Sequence, residues 1–176
     1  MIATAAQAGA LVSGLGANSA LQITGGGAAT LNNATQVSTV LLKAATTLQL
    51  NGMSFIHAIG STGADSITAG AAHQTLTGGS GTDVLFGSAA GSDIFKDTAL
   101  GLKGDTIGNF LSSDQIDITD LAAAGSVLTA TSNGPNTTVS VVSGLTKTSF
   151  TLAGSFSQAG FSLASDGGTG TIIAHS

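Results

Sequence analysis

Apolar residues in this chain come in short alternating runs set between turns of glycine, asparagine and serine. In the first third, Leu21–Thr24, Ser38–Lys43, Thr46–Leu50 and Ser54–Ile59 follow this pattern, which predicts half-buried strands. Gly25-Gly26-Gly27, Asn32-Asn33 and Asn51-Gly52 supply turns between them. The last third predicts hairpins, with strands at Val127–Thr131, Thr137–Val142, Thr148–Leu152, Phe161–Ala164 and Thr169–Ala174. Their turns fall at Ser132-Asn133-Gly134-Pro135-Asn136, Ser143-Gly144 and Ser165-Asp166-Gly167-Gly168. A helical period shows only weakly, over Ala5–Leu15, where glycine works against a stable helix.

The middle third carries a nine-residue repeat of the form G-G-x-G-x-D-x-U-x, with U a large aliphatic residue. Gly78-Gly79-Ser80-Gly81-Thr82-Asp83-Val84-Leu85-Phe86 fills every defined position. The preceding unit, Ala69–Thr77, keeps Gly70 and Leu76 but has Gln74 at the acidic position; Gly60–Thr68 restores Gly63, Asp65 and Ile67. After Phe86 the frame slips by one residue before Gly91-Ser92-Asp93-Ile94-Phe95, and a degenerate copy follows at Gly104-Asp105-Thr106-Ile107. If each unit is half a coil, successive units lie on opposite sides and two complete one layer, about 4.8 Å thick. The fold class expected is all-β: a parallel β-roll or β-solenoid closed by a C-terminal β-hairpin, sandwich-like cap. Three regions follow: 1–59, strand-rich and continuing the solenoid; 60–120, the roll; and 121–176, the hairpins.

Composition narrows the function. Of 176 residues only 7% are charged; all nine acids are aspartate, and Glu, Arg and Cys are absent. Four lysines make no footprint for nucleic acid. The longest apolar run, Leu121–Ala124, is far short of the ~18 residues a membrane span needs, so no membrane insertion is expected. No lysine precedes Lys43, so the N-terminus does not read as a secretory signal. His57, His73 and His175 share no metal-ligand spacing, and no G-x-S-x-G elbow occurs. The expectation is a protein that is not an enzyme.

Eight of the nine aspartates lie in residues 65–120, spaced singly through glycine turns. Asp65 and Asp83 are two units apart, so they fall on one side of adjacent coils with their carboxylates facing across the gap. Like charges that close call for a cation or a proton. Ca²⁺ takes 6–8 oxygen ligands, largely carboxylate and carbonyl. The expected Ca²⁺ ligands are Asp65 and Asp83 with the turn residues Gly60, Thr62, Gly78, Ser80 and Gly81. A poorer site, with one carboxylate, is expected on the opposite side at Gln74 and Asp93. The plainer account of these aspartates is turn chemistry, the side chain bonding local backbone. Asp114, Asp117 and Asp120 read as solvated, with Ile116 and Ile118 turned inward and Asp120 capping a short helical turn at Leu121–Ala124; the alternative is a further Ca²⁺ site using Asp97, Asp105 or Asp114.

Residues 60–95 resemble the RTX calcium-binding β-roll. Residues 104–121, Gly-Asp-Thr-Ile-Gly-Asn-Phe through Asp-Gln-Ile-Asp-Ile-Thr-Asp-Leu, are similar to the segment after the roll in serralysin-type proteases and other type I secreted proteins. Thr151–Phe156 and Phe161–Gly168 are similar to the C-terminal region of long glycine-rich alphaproteobacterial surface proteins. The resemblance implies export by type I secretion machinery through an uncleaved C-terminal signal, and an extracellular or cell-surface location. No HExxH motif accompanies the roll. Three functions are weighed. The first is a structural protein assembling head-to-tail with itself into an extracellular filament or surface layer, through its nearly uncharged N-terminal region. The second is a calcium-folded secretion module of a larger enzyme or adhesin. The third is an ice-binding face carrying Thr68, Thr75, Thr77 and Thr82.

Overall fold

The computed structural model describes residues 2–3, 18–33 and 37–176. The weak helical pattern at Ala5–Leu15 lies outside them. The chain winds as a parallel β-solenoid of about five coils, in which consecutive strands from the second to the twelfth alternate between two sheets. One sheet receives β1 (Ile2–Ala3), β2 (Ser19–Ile23), β4 (Val37–Leu42), β6 (His57–Ile59), β8 (Thr75–Thr77), β10 (Ile94–Asp97) and β12 (Gln115–Ile118). The other receives β3 (Gly27–Asn32), β5 (Thr46–Asn51), β7 (Ser66–Thr68), β9 (Val84–Phe86) and β11 (Thr106–Gly108). The parallel ladder runs unbroken across residues 59–60, so the strand-rich N-terminal region and the roll are one solenoid.

Register explains why three residues suffice for a strand. In the first sheet Leu21, Val40, Ala58, Leu76, Phe95, Ile116 and Ile173 pair in sequence as one inward column. In the second, Ala29, Leu48, Ile67, Leu85, Ile107 and Leu152 do the same. All of these are buried. Each short strand puts its middle residue between two like residues one layer away, and each fully buried Leu or Ile contributes about 1.5–3 kcal/mol. The half-coil repeat is thereby confirmed in register.

Two N-terminal elements differ from the sequence pattern. β3 was not expected, because Gly27-Ala28-Ala29-Thr30 is poor in β-branched residues; its pairing with β5 makes it a strand. Conversely, Ser54–Ile59 shrinks to β6, because Gly52 (φ 64°) and Phe55 (φ 58°) bend the chain and turn Met53 and Ile56 inward.

After β12 the chain closes its C-terminal end with antiparallel strands. β13 (Val127–Asn133), β14 (Asn136–Ser143) and β15 (Thr146–Ala153) form a meander that joins β11 through β15. β16 (Phe161–Ser165) and β17 (Thr171–His175) form a hairpin that joins β12 through β17. A train of rings seals the cap: Phe95 meets Phe110 edge-on, Phe110 meets Phe156, and Phe156 and Phe161 both pack on His175. The hairpins follow the expected pattern to within a few residues.

Leu85→Ala removes one rung of an inward column and should destabilise the protein by about 2–5 kcal/mol. Leu145→Ser, at a fully exposed turn, should stay within about 0.5 kcal/mol of the parent. Urea denaturation checks both.

Candidate functional site

Each coil has two corners, and each corner carries its own polar column just before the strands begin. On the corner that leads into the second sheet stand Asp65, Asp83 and Asp105, all buried. Asp65 Oδ1 accepts the Thr46 N–H (2.7 Å), Asp83 Oδ1 accepts the Asp65 N–H (2.7 Å), and Asp105 Oδ1 accepts the Asp83 N–H (2.8 Å). Asp65 and Asp83 are thus on one side of adjacent coils, as the repeat requires. Their carboxylates do not face one another: each is turned onto the backbone of the coil before it. Asp65 also bonds its own turn, as the turn-chemistry account expects, whereas the bond that Asp83 accepts comes from the coil before it.

The second carboxylate oxygens separate the coils. Asp65 Oδ2 is held by the Ser61 N–H (2.6 Å) and hydroxyl (2.8 Å). One coil on, Gly79 stands where Ser61 does, and its N–H donates instead to Asp97 Oδ2 (2.8 Å). Asp83 Oδ2 is left buried without a partner, and so is Asp105 Oδ2. Glycine is required for this turn: Gly79 has φ 92°, and a Cβ there would lie 2.3 Å from the Ser61 carbonyl oxygen. Gly78 makes room for the next aspartate, since a Cβ there would lie 2.6 Å from Asp83 Oδ2.

Burial raises the Asp83 carboxyl to about 6; the Asp65 N–H opposes this, and the charges of Asp65 and Asp97 add to it. Burial raises Asp105 to about 7, opposed by the Asp83 N–H and reinforced by the charges of Asp83 and Asp97. Asp97 is raised too, by burial first and then by the charge of Asp120, against the N–H groups of Gly79 and Thr98. Asp97 sits in a cavity of about 360 Å³ at this corner, lined also by Gly60, Ser61, Thr62, Gly79, Ser80 and Thr98. Lys43 lines the same cavity. The corner therefore combines glycine-turn backbone with buried carboxylates whose hydrogen bonds, in Asp83 and Asp105, come from backbone N–H groups and not from a basic side chain. Among the described residues no three His, Cys, Asp or Glu side chains converge as a metal-binding group. A cation held here would take carboxylates singly and complete its shell from backbone carbonyls, the donor set that suits Ca²⁺.

Gly60, Thr62, Gly78, Ser80, Gly81, Asp65 and Asp83 all fall on this corner. Gln74 and Asp93 fall on the opposite one. There the Gln74 N–H donates to Asp93 Oδ1 (2.8 Å) and the Ser88 N–H to Asp93 Oδ2 (2.6 Å). Asp114 continues that column, taking the Asp93 N–H (2.9 Å) and the Leu111 N–H (2.8 Å). Every carboxylate oxygen on that corner has a backbone donor.

The second acidic cluster departs from the solvated reading at two of its three aspartates; Asp120 is exposed as expected. Ile116 and Ile118 do point inward, but Asp114 and Asp117 are buried as well. Asp117 is paired with Lys96 on the neighbouring strand. Asp120 caps no helix, for none forms at 121–124; its Oδ1 accepts the Ala99 N–H one coil back (2.6 Å). Asp97 and Asp105 share a corner while Asp114 lies on the other, so these three do not form one site. Asp97 lies 18 residues after Gly79, one coil length on, and that spacing was the signal for its place in the cavity.

The threonines proposed for a flat face are dispersed. Thr75 and Thr77 lie on the outer side of the first sheet, Thr68 on the second, and Thr82 in a corner turn. His57 bonds Thr77 Oγ1 (3.2 Å), and burial, then Lys96, holds it below its ordinary value. His73 stacks on Phe55, far from His175 in the cap. Comparisons with known protein families, with curated proteins and with solved structures gave no match for this chain.

The buried carboxyls set the direction of the pH response. Asp83 and Asp105 rise from an ordinary 3.8 to about 6 and 7 on folding, so between these limits the native state binds more protons than the unfolded chain. Stability then falls with rising pH. In EDTA the protein should be more stable at about pH 5 than at about pH 8, most of the loss coming between pH 5 and 7. Urea unfolding across that range measures it; stability rising with pH would contradict the assignment.

Proposed function

We propose that the chain is a secreted, non-enzymatic structural protein of the RTX β-roll type. Ca²⁺ stabilises its solenoid at the corner of Asp65, Asp83, Asp97 and Asp105, and copies associate into an extracellular filament or surface layer. One observation carries the calcium part: buried Asp83 and Asp105 each keep a carboxylate oxygen without a donor, in a column with no basic side chain bonded to it. A proton or a cation must balance such a charge. In a calcium-poor cell near neutral pH the column is destabilised, which suits a chain that passes unfolded through type I secretion machinery and folds outside. Association is supported by the N-terminal region, where Lys43 is the one charge in residues 1–64 and β3 is the outermost strand of its sheet among the described residues. Charged side chains are what edge strands ordinarily use against such pairing.

A second reading, the calcium-folded module of a larger enzyme or adhesin, draws on the contrast between the ends. The C-terminal end is sealed by aromatic rings, whereas β3, outermost in its sheet among the described residues, offers an edge on which further coils of a longer chain would continue.

At pH 8, Ca²⁺ in about 100-fold excess over its Kd should raise Tm by about 5–10 °C, and Mg²⁺ by less. Asp83→Asn keeps the acceptor for the Asp65 N–H but removes the charge. It should raise Tm in EDTA and shrink the calcium response. Calorimetry decides: a parent Tm unmoved by Ca²⁺, or a variant with the full response, removes the calcium role.

A further inference from the structure

We infer that Gln158 is a side-chain stopper on the edge of β13, holding the place of a strand from a second copy of this chain, and that the copy docks there through β3. The inference rests on the self-association proposed above and names its join. β13 is the last strand of its sheet, and beside it lies the 3-10 turn Gln158–Gly160. The Ala130 N–H donates to Gln158 Oε1 (2.5 Å), and Gln158 Nε2 donates to the Leu128 carbonyl (3.1 Å). One side-chain amide thus fills the donor and the acceptor that a peptide group of an added strand would fill. The Ser132 and Ser155 hydroxyls meet 3.0 Å apart farther along the same strand. Gln158 is exposed, so no packing holds it in place.

The occupant follows from strand sense and length. β15 runs parallel to β11, and two antiparallel steps through β14 bring β13 back to the sense of the solenoid strands. A second copy stacked in the same orientation would present β3, the outermost strand of its sheet among the described residues and six residues long, to β13, seven long, in the parallel pairing used throughout the solenoid. The Gly27 N–H of β3 points to Ala45 on the β5 side, so Ala28 and Thr30, by the alternation of a strand, direct their N–H groups outward. Both side chains are exposed and uncharged. Leu21, Ile23, Ala29 and Leu31 of the first coil are already buried, so the join is made by strand edges and not by bare core.

Light scattering, analytical ultracentrifugation and electron microscopy on the full chain with Ca²⁺ test this, using the parent, Gln158→Ala, Thr30→Pro and the double variant. Circular dichroism establishes that each is folded. Gln158→Ala should associate head-to-tail at a concentration on the order of tenfold lower than the parent, as expected for two freed backbone groups. Thr30→Pro should abolish association in both backgrounds. A parent that associates while Gln158→Ala does so no more readily overturns the stopper and leaves self-association standing. A dimer that does not grow and is indifferent to Gln158→Ala overturns it in favour of two β3 edges meeting. If neither parent nor Gln158→Ala associates, both the stopper and the self-association reading fall. Association that survives a folded Thr30→Pro removes β3 as the docking strand.

Discussion

A solenoid has to satisfy the backbone where each corner feeds a strand, and it has to do so inside the stack, away from water. This chain uses the carboxylate of the next coil. The N–H of Thr46 waits for Asp65, that of Asp65 for Asp83, and that of Asp83 for Asp105. On the other corner Gln74 waits for Asp93 and Asp93 for Asp114. A buried N–H left without an acceptor costs about 1–3 kcal/mol, so these bonds couple adjacent coils in the same way as the apolar columns do. The same device places carboxylates in the interior, and the cation-dependent folding proposed above is built on it.

The two corners solve the charge problem differently. Asp93 and Asp114 are fully satisfied by backbone donors. Asp83 and Asp105 are not, because Gly79 has turned its N–H to Asp97 and the turn before Asp105 is longer: 22 residues separate Asp83 from Asp105, against 18 from Asp65 to Asp83. Asp83 loses its donor at the regular 18-residue spacing and Asp105 at the longer one, and the cavity opens on the same corner. The corner with the complete repeat is thus the one that leaves buried carboxylate oxygens without a donor.

Much of this was legible in the repeat. A period of two nonapeptides places Asp65 under Asp83, Gln74 by Asp93 and Ile67 under Leu85, and the register agrees for each. The aliphatic position of the repeat was enough to find the core. What stayed hidden depends on contacts between coils of unequal length. β3 has no strand propensity of its own and exists through β5. Asp117 looks solvated in an alternating sequence, yet lies buried beneath Lys96, a residue 21 positions away. Gln158 sits 28 residues from the N–H it holds, a spacing that is no motif.

The charge state of the buried column can be read residue by residue. Carboxyl ¹³C chemical shifts of the aspartates, followed through a pH titration in the calcium-free protein, report each group directly. Asp83 and Asp105 should titrate near 6 and 7, with exposed Asp166 below the ordinary 3.8 because the Gly168 and Gly170 N–H groups hold it ionised. Saturating Ca²⁺ should move the first two down together. If Asp83 and Asp105 titrate near 3.8 without calcium, the column holds its charge without help, and cation-dependent folding is contradicted.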